Sequence, residues 1–192
     1  GQLPYFQAHQ LMMDWDKNHI GVEGGFNKTW DLTVDNQLND LAAIDARLKG
    51  QLSGVVVVQG RQKAPALTLN LSAEQFQFQQ VGDSSLSVSG TLPELGAGAG
   101  FLQISAQNLT AANRVIPDLG LVMEGSRADH QITWQMTADP VEAEGILHGA
   151  LDNDFSWQGE SQAGTVNVGD FSWQLTAPFA VNWQQIAKHI TL

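Results

Sequence analysis

Five histidines, twenty carboxylates and no cysteine are the groups with which this chain could do chemistry, and their spacing is poor in sites. His9, His19, His130, His148 and His189 are scattered, and none pairs with another at metal-ligand spacing. The lack of cysteine excludes thiolate metal sites and disulfide staples. Asp152-Asn153-Asp154 resembles the opening of an acidic calcium loop, which needs glycine at its sixth position. Here the sixth residue is Trp157, so a hairpin turn is expected instead. His130 follows Asp129, but its neighbours alternate as in a strand, which predicts a half-exposed sheet position. His148 reads the same way, and Asp14 and Asp16 read as one solvated strand face around Trp15. No element of the chain invites a long-range catalytic triad. The expectation is a protein without catalytic residues, metal or cofactor, and not an enzyme.

Charge narrows the partners. Formal net charge is −11, from 20 acids and 9 bases. Between Arg127 and Lys188 there is no base, while Asp129, Asp139, Glu142, Glu144, Asp152, Asp154, Glu160 and Asp170 all fall there. Such a field repels a phosphate backbone, so nucleic acid is excluded as a partner, and it disfavours charge-driven binding to anionic membranes. Charged residues are only 15% of the chain, against about 25% in an average soluble domain. Gln, Asn, Ser and Thr build the polar surfaces instead. The apolar run Gly54–Gly60 is too short to span a bilayer. A first residue of glycine is what an internal fragment of a longer protein would show.

The elements that would position side chains are strands. Residues 67–73, 76–78, 86–90, 132–136 and 171–175 alternate apolar and polar, the period of a sheet with one greasy and one wet face. Strands are expected at 11–15, 19–24 and 29–35, the last two joined by a turn at Gly24–Gly25. Further strands are expected at 51–59, 66–79, 84–92, 100–109, 119–125, 129–138, 142–150, 154–159, 163–168 and 170–177. Residues 36–49 carry Leu38, Leu41, Ala42, Ile44 and Leu48 at helical spacing, with asparagine at the start and Gly50 behind. They predict one helix plugging an end of the sheet. Residues 92–100 read as a glycine-rich loop and 108–120 as an irregular stretch with one helical turn. The short spacers after residue 50 leave no room for crossover helices, so neighbouring strands should run antiparallel. The chain reads as one β-rich unit over 1–192, with 1–98 and 99–192 as an alternative division. Six tryptophans stand at 15, 30, 134, 157, 173 and 183, as core filler or as the lining of an apolar groove.

Residues 121–183 carry a series of Gly125, His130, Gly145, Gly149, Trp157, Gly159, Trp173, Leu175 and Pro178 that resembles the TamB family, within the AsmA-like group of bridge-type lipid carriers. Segments 28–32, 38–60 and 64–69 are similar to the part that precedes that series. The resemblance covers most of the chain and rests on glycine, tryptophan and alternation. It implies a mostly β fold, a long curled antiparallel sheet open as an apolar groove (a β-taco) with one short helix. It further implies a periplasmic location as part of an inner-membrane-anchored protein. The outer-membrane barrel TamA would be the partner, bound through a region outside this fragment.

The resemblance also implies conduction of phospholipid acyl chains between the membranes and support of outer-membrane protein assembly. An acyl chain crossing water needs an apolar lining, worth about 0.8 kcal/mol per buried CH₂. The expected lining is Leu67, Leu69, Leu71, Phe76, Phe78, Leu86, Val88, Ile132, Trp134, Met136, Trp157, Phe171, Trp173 and Leu175. Two alternatives use the same alternation. One is a chaperone-like module pairing its edges with unfolded outer-membrane β-strands. The other is a carbohydrate-binding β-sandwich, which would need an exposed aromatic platform or a carboxylate pair across a cleft.

Overall fold

A computed structural model describes residues 6–78, 81–82, 85–111, 114–152 and 156–183. Its strands are β1 (Phe6–Trp15), β2 (Asn18–Asn27), β3 (Thr29–Leu38), β4 (Leu48–Arg61), β5 (Ala64–Phe78), β6 (Val81–Gly82) and β7 (Ser85–Leu92). They continue as β8 (Gly100–Ala111), β9 (Arg114–Ser126), β10 (Asp129–Ala138), β11 (Val141–Leu151), β12 (Trp157–Val168), β13 (Phe171–Gln174) and β14 (Phe179–Trp183). All belong to one antiparallel sheet laid out in chain order from β1 to β13. Both β6 and β7 sit between β5 and β8, and both β13 and β14 pair with β12. The first and last strands do not pair with each other, so the sheet is open.

Bulges keep the pattern in phase, two of them in β5 and β12. Leu67, Leu69, Leu71 and Ala73 occupy odd positions, whereas Phe76 and Phe78 are even. The ladder between β4 and β5 shifts register opposite Lys49 and Gln51, and Gln75 takes the left-handed φ of 51° there. One extra residue restores the phenylalanines to the side of the leucines. In β12, Ser161 pairs with Leu147 while Ala163 pairs with Ile146, so Gln162 is the extra residue. That phase change made one strand read as two, 154–159 and 163–168.

Other expectations are corrected. The helix over 36–49 does not form. Asn36, Gln37 and Leu38 pair with Gly54, Ser53 and Leu52 in the ladder, and Leu48 opens β4. A single 3-10 turn, Leu41–Ala43, remains, with the Asp40 carboxylate accepting from the Ala42 N–H at 3.0 Å. Asn18 holds this connection from the apolar side of β2. Its Nδ2 donates to the Asp40 carbonyl at 2.9 Å, and its Oδ1 accepts from the Asp40 N–H at 2.9 Å. Leu38 and Leu41 are buried while Ile44 is 52% exposed, so the supposed stripe is not one face. The β3 ladder wins because it pairs every backbone group and still buries Leu38.

Gly24–Gly25 is not a turn but the interior of β2. A Cβ at Gly24 would fall 1.9 Å from the Asp31 oxygen, so glycine there permits close approach of β3. The turn comes at Lys28, with φ 66°. The described residues of 108–120 belong to β8 and β9, with Leu109 opposite Ile116. Asp16 lies in the β1–β2 turn, apart from Asp14 in β1. The 92–100 loop is observed, with a 3-10 segment at Pro93–Gly96. The turn expected at 152–154 and His189 lie wholly or mostly outside the described residues, as does the side chain of His9.

Arg47 chelates Asp45 beside the 3-10 turn, its Nε donating to the two carboxylate oxygens at 3.0 and 3.1 Å. These side-chain hydrogen bonds, aided by the Arg47 backbone N–H, pull the Asp45 carboxyl from 3.8 down to about 2. A depressed carboxylate favours the folded turn above its ordinary range, and the linkage is lost as pH falls from about 4 toward 2. Carboxyl-carbon NMR should therefore show Asp45 titrating near the bottom of that window. In Arg47→Ala it should titrate in the ordinary carboxylate range.

Candidate functional site

Paired residues of an antiparallel ladder point to the same side, so the registers define two faces across the whole sheet. On one of them Leu69 stands opposite Val56 and Gly90, and Val56 opposite Val34, which faces Val22. The same row continues through Leu102, Met123, Ile132 and Leu147. The next row brings Leu71 beside Val88, then Ile104, Leu121 and Trp134. A third contains Ala73, Leu86, Ala106, Leu119, Met136, Ala143, Val166 and Trp173.

The remaining candidates fall on this face too. Leu67 pairs with Val58 and Leu92, Phe78 with Leu48, Phe171 with Val168, and Trp157 with Leu151 and Trp183. Phe76 lies two residues before Phe78, and the Leu175 N–H donates to the Gly164 oxygen at 2.8 Å, extending the row of Trp134 and Gly145. Sequence reasoning did not select Val22, Val34, Val56, Leu102, Leu121, Met123 and Leu147, although the same alternation carries them. Their strands are shorter on polar contrast: Val55 and Val57 also occupy the other face, which blurs the period.

This face is the more buried one, yet no second layer of described residues covers it. Its central side chains are half-buried, and its margins are open, with Leu11 at 47% and Phe171 at 70% exposure. Phe171 and Trp173 stack there, ring centroids 6.1 Å apart. Tryptophans fill gaps left by glycines: a Cβ at Gly145 would meet Trp134 Nε1 at 2.7 Å, and Cβ atoms at Gly149 and Gly159 would meet the Trp157 ring at 2.6 Å.

Few polar side chains enter it. Asn18 is engaged with Asp40 as described. Asn36 donates to the Gly54 carbonyl at 2.8 Å while its buried Oδ1 has no partner. Among the described strand side chains, His130 is the one ionisable group that the registers put on this face. It is buried at 3% exposure, not half-exposed as its neighbours suggested. Trp157, 27 residues onward, donates its indole N–H to His130 Nε2 at 2.9 Å.

The opposite face is wet. Thr68, Asn70, Ser72, Gln103, Thr133, Gln135, Glu142 and Glu144 are exposed on it. His148 lies there, exposed as expected, with Nε2 2.9 Å from Asp129 Oδ1. A recess of about 360 Å³ around Gly120 is lined by Gln103, Ser105, Thr133, Gln135 and Thr165 of this side, by Val122 and Ile146 between them, and by Leu121 and Trp134 of the apolar rows. Among the described residues no three His, Cys, Asp or Glu side chains are placed to hold a metal ion. No described helix is long and apolar enough to cross a membrane.

An open antiparallel sheet with one apolar and one polar face defines a protein built around a surface instead of a cleft. The chain belongs to the TamB family: the family described as "TamB, N-terminal domain" matches residues 3–192. A curated relative, the "Translocation and assembly module subunit TamB" of Haemophilus influenzae, is 23% identical over 151 residues. That alignment covers 78% of this chain and 12% of the relative, so the chain spans a small part of the relative's length. No solved structure matches the chain.

Proposed function

We propose that this chain is a segment of a periplasmic, inner-membrane-anchored bridge whose apolar face conducts phospholipid acyl chains toward the outer membrane. The observation that carries the reading is the predominantly apolar face from β1 to β14, half-buried yet uncovered by any other described residues. Its deeper burial supports a sheet curled toward that side, as in a β-taco. An acyl chain laid on it would lose about 0.8 kcal/mol of unfavourable hydration per methylene, while a headgroup stays in solvent. Aliphatic side chains repeated row after row give weak, unspecific contacts, which suit sliding. The role is non-enzymatic. Membership of the TamB family supports work within a translocation and assembly module, with a TamA-like barrel engaged through another region of the protein.

Photocrosslinking tests it. A crosslinking side chain at Leu71 or Trp134, in the full-length protein in cells, should capture phospholipid. The same group at Asn70, on the wet face, should not. Crosslinks to protein alone from both apolar sites would sink the conduit.

The edges β1 and β14 favour a second reading, in which an extended outer-membrane strand pairs with the open ladder. A carbohydrate-binding sandwich is disfavoured, since among the described residues all strands belong to one sheet and no second sheet faces it.

A further inference from the structure

His130 sits in a transverse row of glycines. Gly100 pairs with Gly125, Gly125 with His130, His130 with Gly149 and Gly149 with Gly159. The row is a slot of bare backbone on the apolar face, and the Trp157 indole lies over its Gly149–Gly159 part. Both imidazole nitrogens are committed. Nδ1 is 3.0 Å from the Ser126 carbonyl oxygen, which can only accept, so Nδ1 carries a proton. Nε2 is 2.9 Å from Trp157 Nε1, which can only donate, so Nε2 offers a lone pair. The two contacts together require the neutral ring in one tautomer.

A second proton on Nε2 would point a donor at a donor and leave a charge in apolar surroundings. Among the described residues nothing compensates for it. Its cross-strand neighbours are Gly125 on β9 and Gly149 on β11, and Ile132 follows it on the same face. Glu124, Asp129, His148 and Glu160 point to the other face of the sheet, where Asp129 is engaged with His148. Arg127 lies in the turn before β10, and Asp152 is exposed in the connection to β12.

We propose that His130 and Trp157 form an acid-released latch. Protonation of His130 expels the indole from its seat over Gly149 and Gly159 and loosens the margin of the sheet. Trp157 opens β12, whose backbone pairs there with Leu151 of β11 and Trp183 of β14, so its indole bond to His130 ties the margin of the sheet to β10. Release follows acidification, not alkalinisation, because the neutral ring is the one that accepts. The latch does not depend on what the apolar face carries.

Labelling the protein with 5-fluorotryptophan and following ¹⁹F NMR from pH 8 to pH 5 tests it, with the Trp157 resonance assigned by its loss in Trp157→Phe. The expected result is a one-proton transition at Trp157 that is absent in His130→Gln, whose amide oxygen accepts the indole N–H but does not titrate. A Trp157 resonance that stays fixed across the range, or moves identically in His130→Gln, overturns the latch. Should His130→Gln fail to fold, amide exchange of β12 decides. Exchange corrected for its intrinsic pH dependence should rise on acidification in the native protein and not in Trp157→Phe, and an equal rise in both overturns the latch.

Discussion

Gly149→Ala should be among the most damaging small substitutions in the chain, costing about 3 kcal/mol. The added Cβ would lie 2.3 Å from the Gln158 carbonyl oxygen, 2.6 Å from Trp157 Cζ2 and 2.9 Å from the Gly159 Cα. Two of those atoms are backbone of the paired strand, so relief requires opening the β11–β12 ladder and not merely turning a side chain. Trp157 cannot retreat freely either, because its indole N–H is bonded to His130. Gly169→Ala meets nothing within 4 Å but holds φ at +56°, which predicts only about 1 kcal/mol. Gly164→Ala meets the Glu144 oxygen at 3.5 Å, an ordinary contact, and should be close to neutral. Urea denaturation of the three variants should rank them in that order. Near equality between Gly149→Ala and Gly164→Ala would mean the Trp157 seat is not packed as described.

The glycine row also marks what the sequence conveyed and what it withheld. Gly125, His130, Gly149, Trp157 and Gly159 were legible as a recurring series, but not as one row across five strands with a ring laid over it. Strand pairing is long-range, and a bulge moves every later side chain by one position. Gln75 and Gln162 are such residues, and each follows a residue whose alternation then changes phase. At Gln75 the flanking phenylalanines were still recognised as apolar-face residues. At Gln162 the phase change split β12 into two expected strands. The segment 36–49 misled for another reason. Its leucines are spaced for a helix, yet the ladder partners of Asn36 and Leu38 lie at Gly54 and Leu52, beyond any local window. His130 was read from its neighbours in β10 alone, whereas its burial comes from Trp157, 27 residues onward.

Leu71→Asp and Asn70→Asp should separate the conduit from edge pairing. The two positions are adjacent in β5 and point to opposite faces: Leu71 stands with Gly54 and Val88, Asn70 with Val55 and Ser89. A carboxylate at Leu71 brings its hydration into the apolar rows. If three or four methylenes of a passing acyl chain are kept wet there, the barrier rises by about 2.4–3.2 kcal/mol. Since each 1.4 kcal/mol is tenfold, phospholipid transfer should slow on the order of 100-fold. Asn70→Asp adds the same charge to a face already carrying Glu142 and Glu144 and should leave transfer nearly unchanged. Pairing of a foreign strand to β1 or β14 uses backbone groups at the margins of the sheet, far in ladder order from β5. Under that reading both variants keep outer-membrane assembly intact. Transfer assayed beside assembly, at matched protein levels, therefore has a distinct outcome for each function. Loss of transfer in Leu71→Asp alone supports conduction, whereas native transfer in both variants removes the apolar face from the lipid path and leaves the edges as the working surface.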